Sequence, residues 1–266
     1  MTAAVAANPD LESLRGYAAA RPDARPDRVG LVATLFAPTN PAETLHTVAQ
    51  LARQTFHCDG AGVVLTTKVA RSATTAGSPG DAARAEALQV EHHQGPGLDA
   101  ITLRHPVVSP ELRFNSRWRF WAPQVADLGF RSVLSLVLAN DEPIGAVTLY
   151  SRLPAFFGTE FHGPELGFAE QASIAITVSV EREQLVRARE SRGIVGQAQG
   201  ILMERYDITA DQAFAVLRRY SSHLNVKLRT IAEQVVSDRT LPDRDLTGCR
   251  DSRAVTGSAK GINRDR

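Results

Sequence analysis

The sequence predicts an α+β fold: an antiparallel sheet with helices packed against it, joined by a long helix to a small three-helix module. Three observations carry that prediction. Apolar periodicity alternates in the order helix, strands, helix, strand, helix, hairpin, helix over the first two thirds of the chain. From Glu165 to Tyr206 nothing punctuates a helical pattern. Between Asp207 and Arg239 two short amphipathic segments follow, each with its own start signal.

Composition sets the frame. The chain has 266 residues, 43% hydrophobic and 22% charged, the make-up of a globular protein able to build a sizeable core. Net charge is +1, so composition by itself selects neither nucleic acid nor membrane, and the distribution of charge has to decide. Cys58 and Cys249 are too few for a disulfide framework, which points to a reducing cytoplasm. No charged start leads into an apolar run, and no run of about eighteen apolar residues occurs. Neither a signal peptide nor a membrane span is expected.

In order, residues 1–30 are rich in Ala, Arg, Pro and Asp. Leu11–Ala20 suits a short helix and Arg21–Asp27 a solvated linker, so this segment is expected to be flexible. Pro41–Arg53 reads as a helix, with Leu45, Val48, Ala49 and Ala52 near helical spacing behind a Thr39/Asn40 cap signal. Asp59-Gly60 turns into Ala61–Thr67, a β-branched strand; Val69–Thr75 makes a second, broken by Ala76–Gly80. A helix over Ala82–Val90 ends before His92–Gly97, a turn by composition. His105–Val108 is a short strand and Arg117–Leu128 a helix carrying Trp118, Phe120 and Trp121. Arg131–Leu138 and Ile144–Tyr150 form a hairpin around Ala139–Pro143. After a loop with Phe156, Phe157 and Phe161, the Glu165–Val180 helix places Leu166, Ala169, Ala172, Ile176 and Val180 on its apolar positions.

Several of these stretches resemble one family. Asp59–Thr67, Leu88-Gln89-x-Glu91, Gln94-Gly95-Pro96-Gly97-Leu98-Asp99-Ala100, Arg117-Trp118, Gly129–Ser135 and Gly145–Ser151 are similar to a GAF sensor domain of the actinobacterial kind. The resemblance implies a central antiparallel sheet with a small-molecule pocket on one side, for an unknown ligand. Many members carry Cys where this chain has Gly97, so a thiol for redox sensing or chromophore attachment is missing there. Trp118, Trp121 and Arg117 are the candidate lining of that pocket, with core packing as the alternative for the two tryptophans.

Val180–Tyr206 continues as a helix. Leu185, Ala188, Val195 and Leu202 fall on heptad-like spacing, interrupted by Arg192 and Gln199, and are the candidate seam of a homodimer. Gly193–Met203 looks two-faced, Val195 and Leu202 facing a second subunit and Ile194, Ala198 and Ile201 packing the helices that follow. Thr209-Ala210-Asp211-Gln212 is a capping box starting a second helix with Ala213, Val216, Leu217, Tyr220 and Leu224 on one face. Asn225 ends it, and a third helix holds Leu228, Ile231, Ala232, Val235 and Val236. Between Arg182 and Arg239 there are ten Lys/Arg against seven Asp/Glu, a local basic bias.

This segment resembles an ANTAR domain, the three-helix RNA-binding output module of transcription antiterminators. The residues concerned are Gln197–Arg205, Thr209-x-x-Gln212-Ala213-Phe214-x-x-Leu217-Arg218 and Asn225-Val226-Lys227-Leu228-x-x-Ile231-Ala232. Many members have Lys at the position of Gln199. The resemblance makes Gln199, Arg205, Arg218, Arg219, Lys227 and Arg229 candidate RNA contacts, since phosphates need cations and guanidinium planes stack on loop bases. From charge alone these would be an ordinary solvated face, and Arg205 a partner of its own helix end. Tyr220 suits either stacking on RNA or a core.

The division expected is a flexible segment at 1–30, a GAF sensor at 31–183, an ANTAR domain at 184–239 and a disordered tail at 240–266. His92-His93 beside Glu91 lacks the cysteines or acidic cluster that would complete a metal site, so no metal and no cofactor are expected. No phosphate loop, nucleophile elbow or Ser/His/Asp arrangement stands out, and no enzymatic activity is expected. The implied function is a signal-responsive cytoplasmic regulator whose dimer binds paired hairpins in nascent RNA and promotes antitermination. A DNA-binding helix-turn-helix transcription factor is the alternative, because a basic three-helix module describes both.

Overall fold

The computed structural model describes residues 28–66, 73–77, 80–158 and 163–241, so the expectations for the first 27 residues and for the tail beyond 241 lie outside it. The chain divides into two compact units at Gln184/Leu185.

The first unit is built on one antiparallel sheet of five strands: β1 (Gly60–Thr66), β2 (Ala73–Gly77), β3 (Val107–Ser109), β4 (Ser132–Ala139) and β5 (Pro143–Ser151). Their order across the sheet is β2-β1-β5-β4-β3. Both faces are covered, and the strands alternate accordingly. Ala61, Val63, Leu134, Leu136, Leu138, Val147 and Leu149 point to one core. Val64, Val133, Ala146 and Tyr150 point to the other. A side-chain period of two puts neighbouring residues on opposite faces, so each strand feeds both cores.

Helices α1 (Arg28–Leu35), α2 (Pro41–Thr55) and the start of the long α6 (Gly163–Tyr206) cover the first face. Asn40 caps α2, accepting from Glu43 N–H at 3.0 Å, with Pro41 in the first turn. Polar ties hold α6 on this face: Ala139 N–H donates to Ser173 Oγ at 3.0 Å, and Thr44 Oγ1 to Ser179 Oγ at 2.9 Å. The second face is covered by α3 (Asp81–His92), α4 (Pro96–Leu103) and α5 (Trp121–Asp127).

Four expectations need correction. Helix α1 begins at Arg28, just inside the 1–30 segment expected to be flexible. The second strand runs through Ala76 and Gly77, where a break was expected; Gly77 pairs with Gly62, and backbone pairing needs no side chain. Gly95-Pro96-Gly97 opens helix α4, with proline at the first position and Asp99 in the first turn. The α5 helix starts at Trp121, because Asn115 holds residues 117–120 in a turn, accepting from the Arg117 and Trp118 N–H groups at 2.9 and 3.2 Å.

The second unit packs the rest of α6 with α7 (Ala210–Leu224) and α8 (Leu228–Asp238) around Val195, Ala198, Leu202, Ala213, Leu217, Ile231, Ala232 and Val235. The capping box is formed: Gln212 N–H donates to Thr209 Oγ1 at 3.3 Å and Thr209 N–H to Gln212 Oε1 at 2.9 Å. Asn225 ends α7 in the left-handed region, φ 51°, which Asn tolerates better than most residues. Ser221 Oγ then donates to Val226 O at 2.6 Å and fixes the turn into α8.

The expected dimer seam is corrected here. Val195 and Leu202 are buried within the unit itself, 8% and 0% exposed. With Ala198 they occupy positions i, i+3 and i+7, one stripe rather than two, and that stripe faces α7 and α8. Leu185, 73% exposed, and Ala188, also exposed, remain outside it.

Candidate functional site

The second unit carries the chemistry of a polyanion site, and its cations fall into two groups. Arg218 and Arg219 on α7 and Lys227 at the head of α8 are exposed. None of the three side chains has a hydrogen-bond or ion-pair partner among the described residues. Phe214, 38% exposed, lies one helical turn before Arg218 on the same face. An aromatic ring beside a guanidinium is suited to a base, and sequence reasoning passed over it because apolar residues on amphipathic helices usually face inward.

The other expected contacts are engaged inside the unit. Gln199 Nε2 donates to Ala210 O at 3.1 Å, tying α6 to the first turn of α7. Arg205 Nη1 donates to Arg239 O at 2.6 Å, supplying a donor to the carbonyl end of α8. Arg229 Nε donates to Glu233 Oε1 at 2.8 Å, and its Nη2 lies 3.7 Å from Glu190 Oε2. Those carboxylates hold the Arg229 guanidinium above its ordinary pKa, the Glu233 hydrogen bond most of all. Tyr220 is half-buried against the core of the unit. An open groove of about 780 Å³ runs between α6 and α8, lined by Gly200, Ile201 and Glu204 on one side and Val236 and Arg239 on the other.

In the first unit the expected pocket residues pack together. Trp121 is fully buried, its indole N–H donating to Ala85 O at 2.9 Å. Trp118 is 3% exposed; its N–H donates to Asp99 Oδ2 at 2.8 Å, and the two indoles meet edge to face at 5.5 Å. Arg117 Nε lies 2.7 Å from the same Asp99 oxygen, its guanidinium 5.8 Å from the Trp118 ring centre. The tryptophans therefore form the core of this face, the alternative to lining a pocket, and Arg117 braces them from outside. Glu91 pairs with Arg84, and His92 Nε2 lies 2.7 Å from Gln124 Nε2. No group of three or more His, Cys, Asp or Glu suited to a metal occurs among the described residues.

Beneath the indoles lies a polar cluster that sequence reasoning did not single out. Tyr150 Oη donates to Glu86 Oε1 at 2.8 Å, Gln89 Nε2 to Glu86 Oε2 at 2.9 Å, and Gly97 N–H to Gln89 Oε1 at 2.8 Å. Beside them Ser135 Oγ and Thr148 Oγ1, opposite each other on β4 and β5, are 2.6 Å apart. Glu86 is fully buried, and that desolvation pushes its carboxyl up to about 7. Its signal was a carboxylate on the apolar face of α3, between Ala82, Ala85 and Leu88. At Gly97, where many members carry Cys, an added Cβ would lie 3.0 Å from Val64 Cγ1, so the neighbouring side chains would have to give by a few tenths of an ångström. Cys58, the free thiol of this unit, is buried, donates to Gly60 O at 3.2 Å, and is pushed up to about 12 by desolvation, which keeps it unreactive.

Comparison with known proteins agrees with this division. The family model of the GAF domain matches residues 40–180, and that of the ANTAR domain residues 183–236. No curated protein matches the chain. Among solved structures, the GAF domain of a phosphoenolpyruvate-protein phosphotransferase from Coxiella burnetii is 12% identical over 60% of this chain and 94% of its own, with a TM-score of 0.46. The corresponding domain from Acinetobacter is 12% identical, covering 57% of this chain and 92% of that one, at 0.45. Free methionine-R-sulfoxide reductase from Neisseria meningitidis is 13% identical over 59% and 87%, at 0.41. Likenesses this distant transfer no activity. No helix among the described residues is long and apolar enough to cross a membrane. With more than half its length matched by the one family and the three-helix unit by the other, the chain belongs to the GAF domain family and is a GAF–ANTAR regulator, a sensor domain followed by an RNA-binding antitermination module.

Proposed function

We propose that this regulator acts in the cytoplasm as a homodimer that binds paired hairpins in nascent RNA and promotes transcription antitermination when its GAF domain meets a small ligand. The observation that carries the reading is the exposed trio Arg218, Arg219 and Lys227 within the matched ANTAR segment. Phosphates need such cations, and Phe214 offers a stacking surface beside them for an unpaired loop base. Two hairpins suit a dimer, because the first contact raises the effective concentration of the second. Leu185 and Ala188 are the seam residues left for that dimer, joined by the exposed Ile174 and Val178 of the same helix. Gln199 and Arg205 act instead by holding α7 and α8 in place.

Gel retention of a hairpin RNA against a DNA duplex of matching sequence tests the reading. Arg218→Ala with Arg219→Ala is expected to weaken hairpin binding more than tenfold and to lower the salt slope by about two phosphate contacts. Tighter, salt-resistant binding to the duplex would instead favour the helix-turn-helix alternative. Hairpin retention unchanged in the double variant would remove Arg218 and Arg219 from the RNA contact and favour a docking role for α7.

A further inference from the structure

Between β3 and α5 the chain reads Arg113-Phe114-Asn115-Ser116-Arg117-Trp118-Arg119-Phe120, guanidinium groups alternating with rings, and its Arg113, Phe114, Arg119 and Phe120 have no role in the proposed function. The segment is built as two linked turns. Asn115 N–H donates to Leu112 O at 3.1 Å, which puts Arg113 and Phe114 at the corner of the first. The Asn115 side chain anchors the second: Oδ1 accepts from the Arg117 and Trp118 N–H groups, and Nδ2 donates to Ser109 Oγ at 3.0 Å. Trp118 is buried in the core while Arg119 and Phe120 stay exposed. Phe120 is fixed at its backbone, donating to Gln94 Oε1 at 3.2 Å, and its ring sits 6.3 Å from that of His92 at a tilt of 30°.

The outcome is two exposed rings on a loop pinned at its backbone. Phe114 is 77% exposed and Phe120 58%. Arg113 and Arg119 are exposed beside them, and the Arg119 guanidinium has no ion-pair or hydrogen-bond partner among the described residues. Exposed phenylalanine contributes little to folding, and a pre-set loop lowers the ordering cost of whatever covers it. Rings interleaved with guanidinium groups are suited to unpaired nucleic acid, because each base offers a face to stack on and each phosphate an anion to pair. A bilayer fits less well. It takes a helix with a contiguous apolar face opposite its Lys/Arg face, whereas this segment is a pair of turns that separates its rings with Arg, Asn and Ser.

We propose that residues 113–120 form a second RNA contact, on the GAF unit, that takes an unpaired strand by stacking bases on Phe114 and Phe120 and pairing phosphates with Arg113 and Arg119. It rests on the reading of the chain as an RNA-binding regulator and extends it to a surface outside the ANTAR segment.

The test uses the full-length chain and a fluorescent, unstructured RNA of about twelve nucleotides, within the length range of single-strand sites. Wild type is expected to bind it. Phe114→Leu with Phe120→Leu should weaken binding on the order of tenfold, and Phe114→Tyr with Phe120→Tyr should restore it, since stacking needs a ring and not bulk alone. Both positions are exposed, so an unchanged melting temperature is expected in every variant. Arg218→Ala with Arg219→Ala should leave binding of this oligonucleotide within about twofold while hairpin retention falls, which separates this contact from the ANTAR site. Wild type that fails to bind the oligonucleotide, or a Leu variant that binds as well as wild type, overturns the proposal even where hairpin retention stands. Co-sedimentation with phosphatidylserine-containing vesicles, lost when both rings are changed to Asn and unaccompanied by oligonucleotide binding, would assign the loop to a lipid surface instead.

Discussion

Glu86 is the residue whose environment makes the sharpest prediction. Its carboxyl is fully buried, with no cation beside it among the described residues; Tyr150, Gln89 and the Thr148 hydroxyl face it from β5 and α3, none of them charged at neutral pH. Hydrogen bonds to the carboxylate pull its pKa down, but desolvation is the larger effect, so the folded value rises to about 7 from 4.5. The folded protein then holds a proton that the unfolded chain has released. The stabilisation is fully present below about pH 4.5 and lost as pH rises through 7, a change of roughly 3 kcal/mol for a shift of this size. Urea unfolding of the GAF unit should show that falling slope, and Glu86→Gln, which keeps the shape and removes the titration, should flatten it and be the more stable form above pH 7. Gly62 gives the same cluster a steric boundary: a Cβ there would lie 2.1 Å from Glu86 Cγ. Gly62→Ala is expected to cost about 1–3 kcal/mol by overpacking, read as a lower urea midpoint with an unchanged slope.

Among the elements, α7 depends most on a local device. Its capping box satisfies two donors at the helix start, so Thr209→Ala should destabilise the ANTAR unit by about 1 kcal/mol while leaving the GAF transition in place. A calorimetric scan that resolves the two units checks this. That box was legible in the sequence because its signal lies within four adjacent residues, Thr209 to Gln212. The β4–β5 hairpin was legible for a similar reason, as apolar runs flanking a Pro-containing turn. Helix α4 was not: Gly95-Pro96-Gly97 has turn composition, yet proline at a helix start looks the same. The exposed cations were legible because charge is seldom buried without a partner. The internal jobs of Gln199 and Arg205 were not, since their acceptors are backbone carbonyls 11 and 34 residues away. The Glu86 cluster stayed hidden because Tyr150 is 64 residues from it and belongs to a strand whose alternation already explained it.

At the scale of the whole molecule, the question is which residues would join two copies in the proposed dimer. A heptad read from sequence cannot say whether its apolar positions serve a neighbouring helix of the same chain or a second subunit, because both need the same spacing. Here the seam splits. Val195 and Leu202 serve the chain's own three-helix core, whereas Leu185 is 73% exposed and Ile174 and Val178 are 39% and 47% exposed on the same helix. Large side chains recurring at 174, 178 and 185 follow heptad spacing, with Glu181 at the intervening position. The two sets should therefore fail differently. Leu202→Asp buries a charge with no partner and should unfold the ANTAR unit, abolishing hairpin retention at any protein concentration. Leu185→Asp alters an exposed site, so each protomer should keep its helical content and melting behaviour. Sedimentation should then show monomer where wild type is a dimer, and binding to a paired hairpin should fall toward that of a single one as the linked second site is lost. Wild type that sediments as a monomer at micromolar concentration would remove the dimer from the mechanism and leave each ANTAR unit to find its hairpin alone.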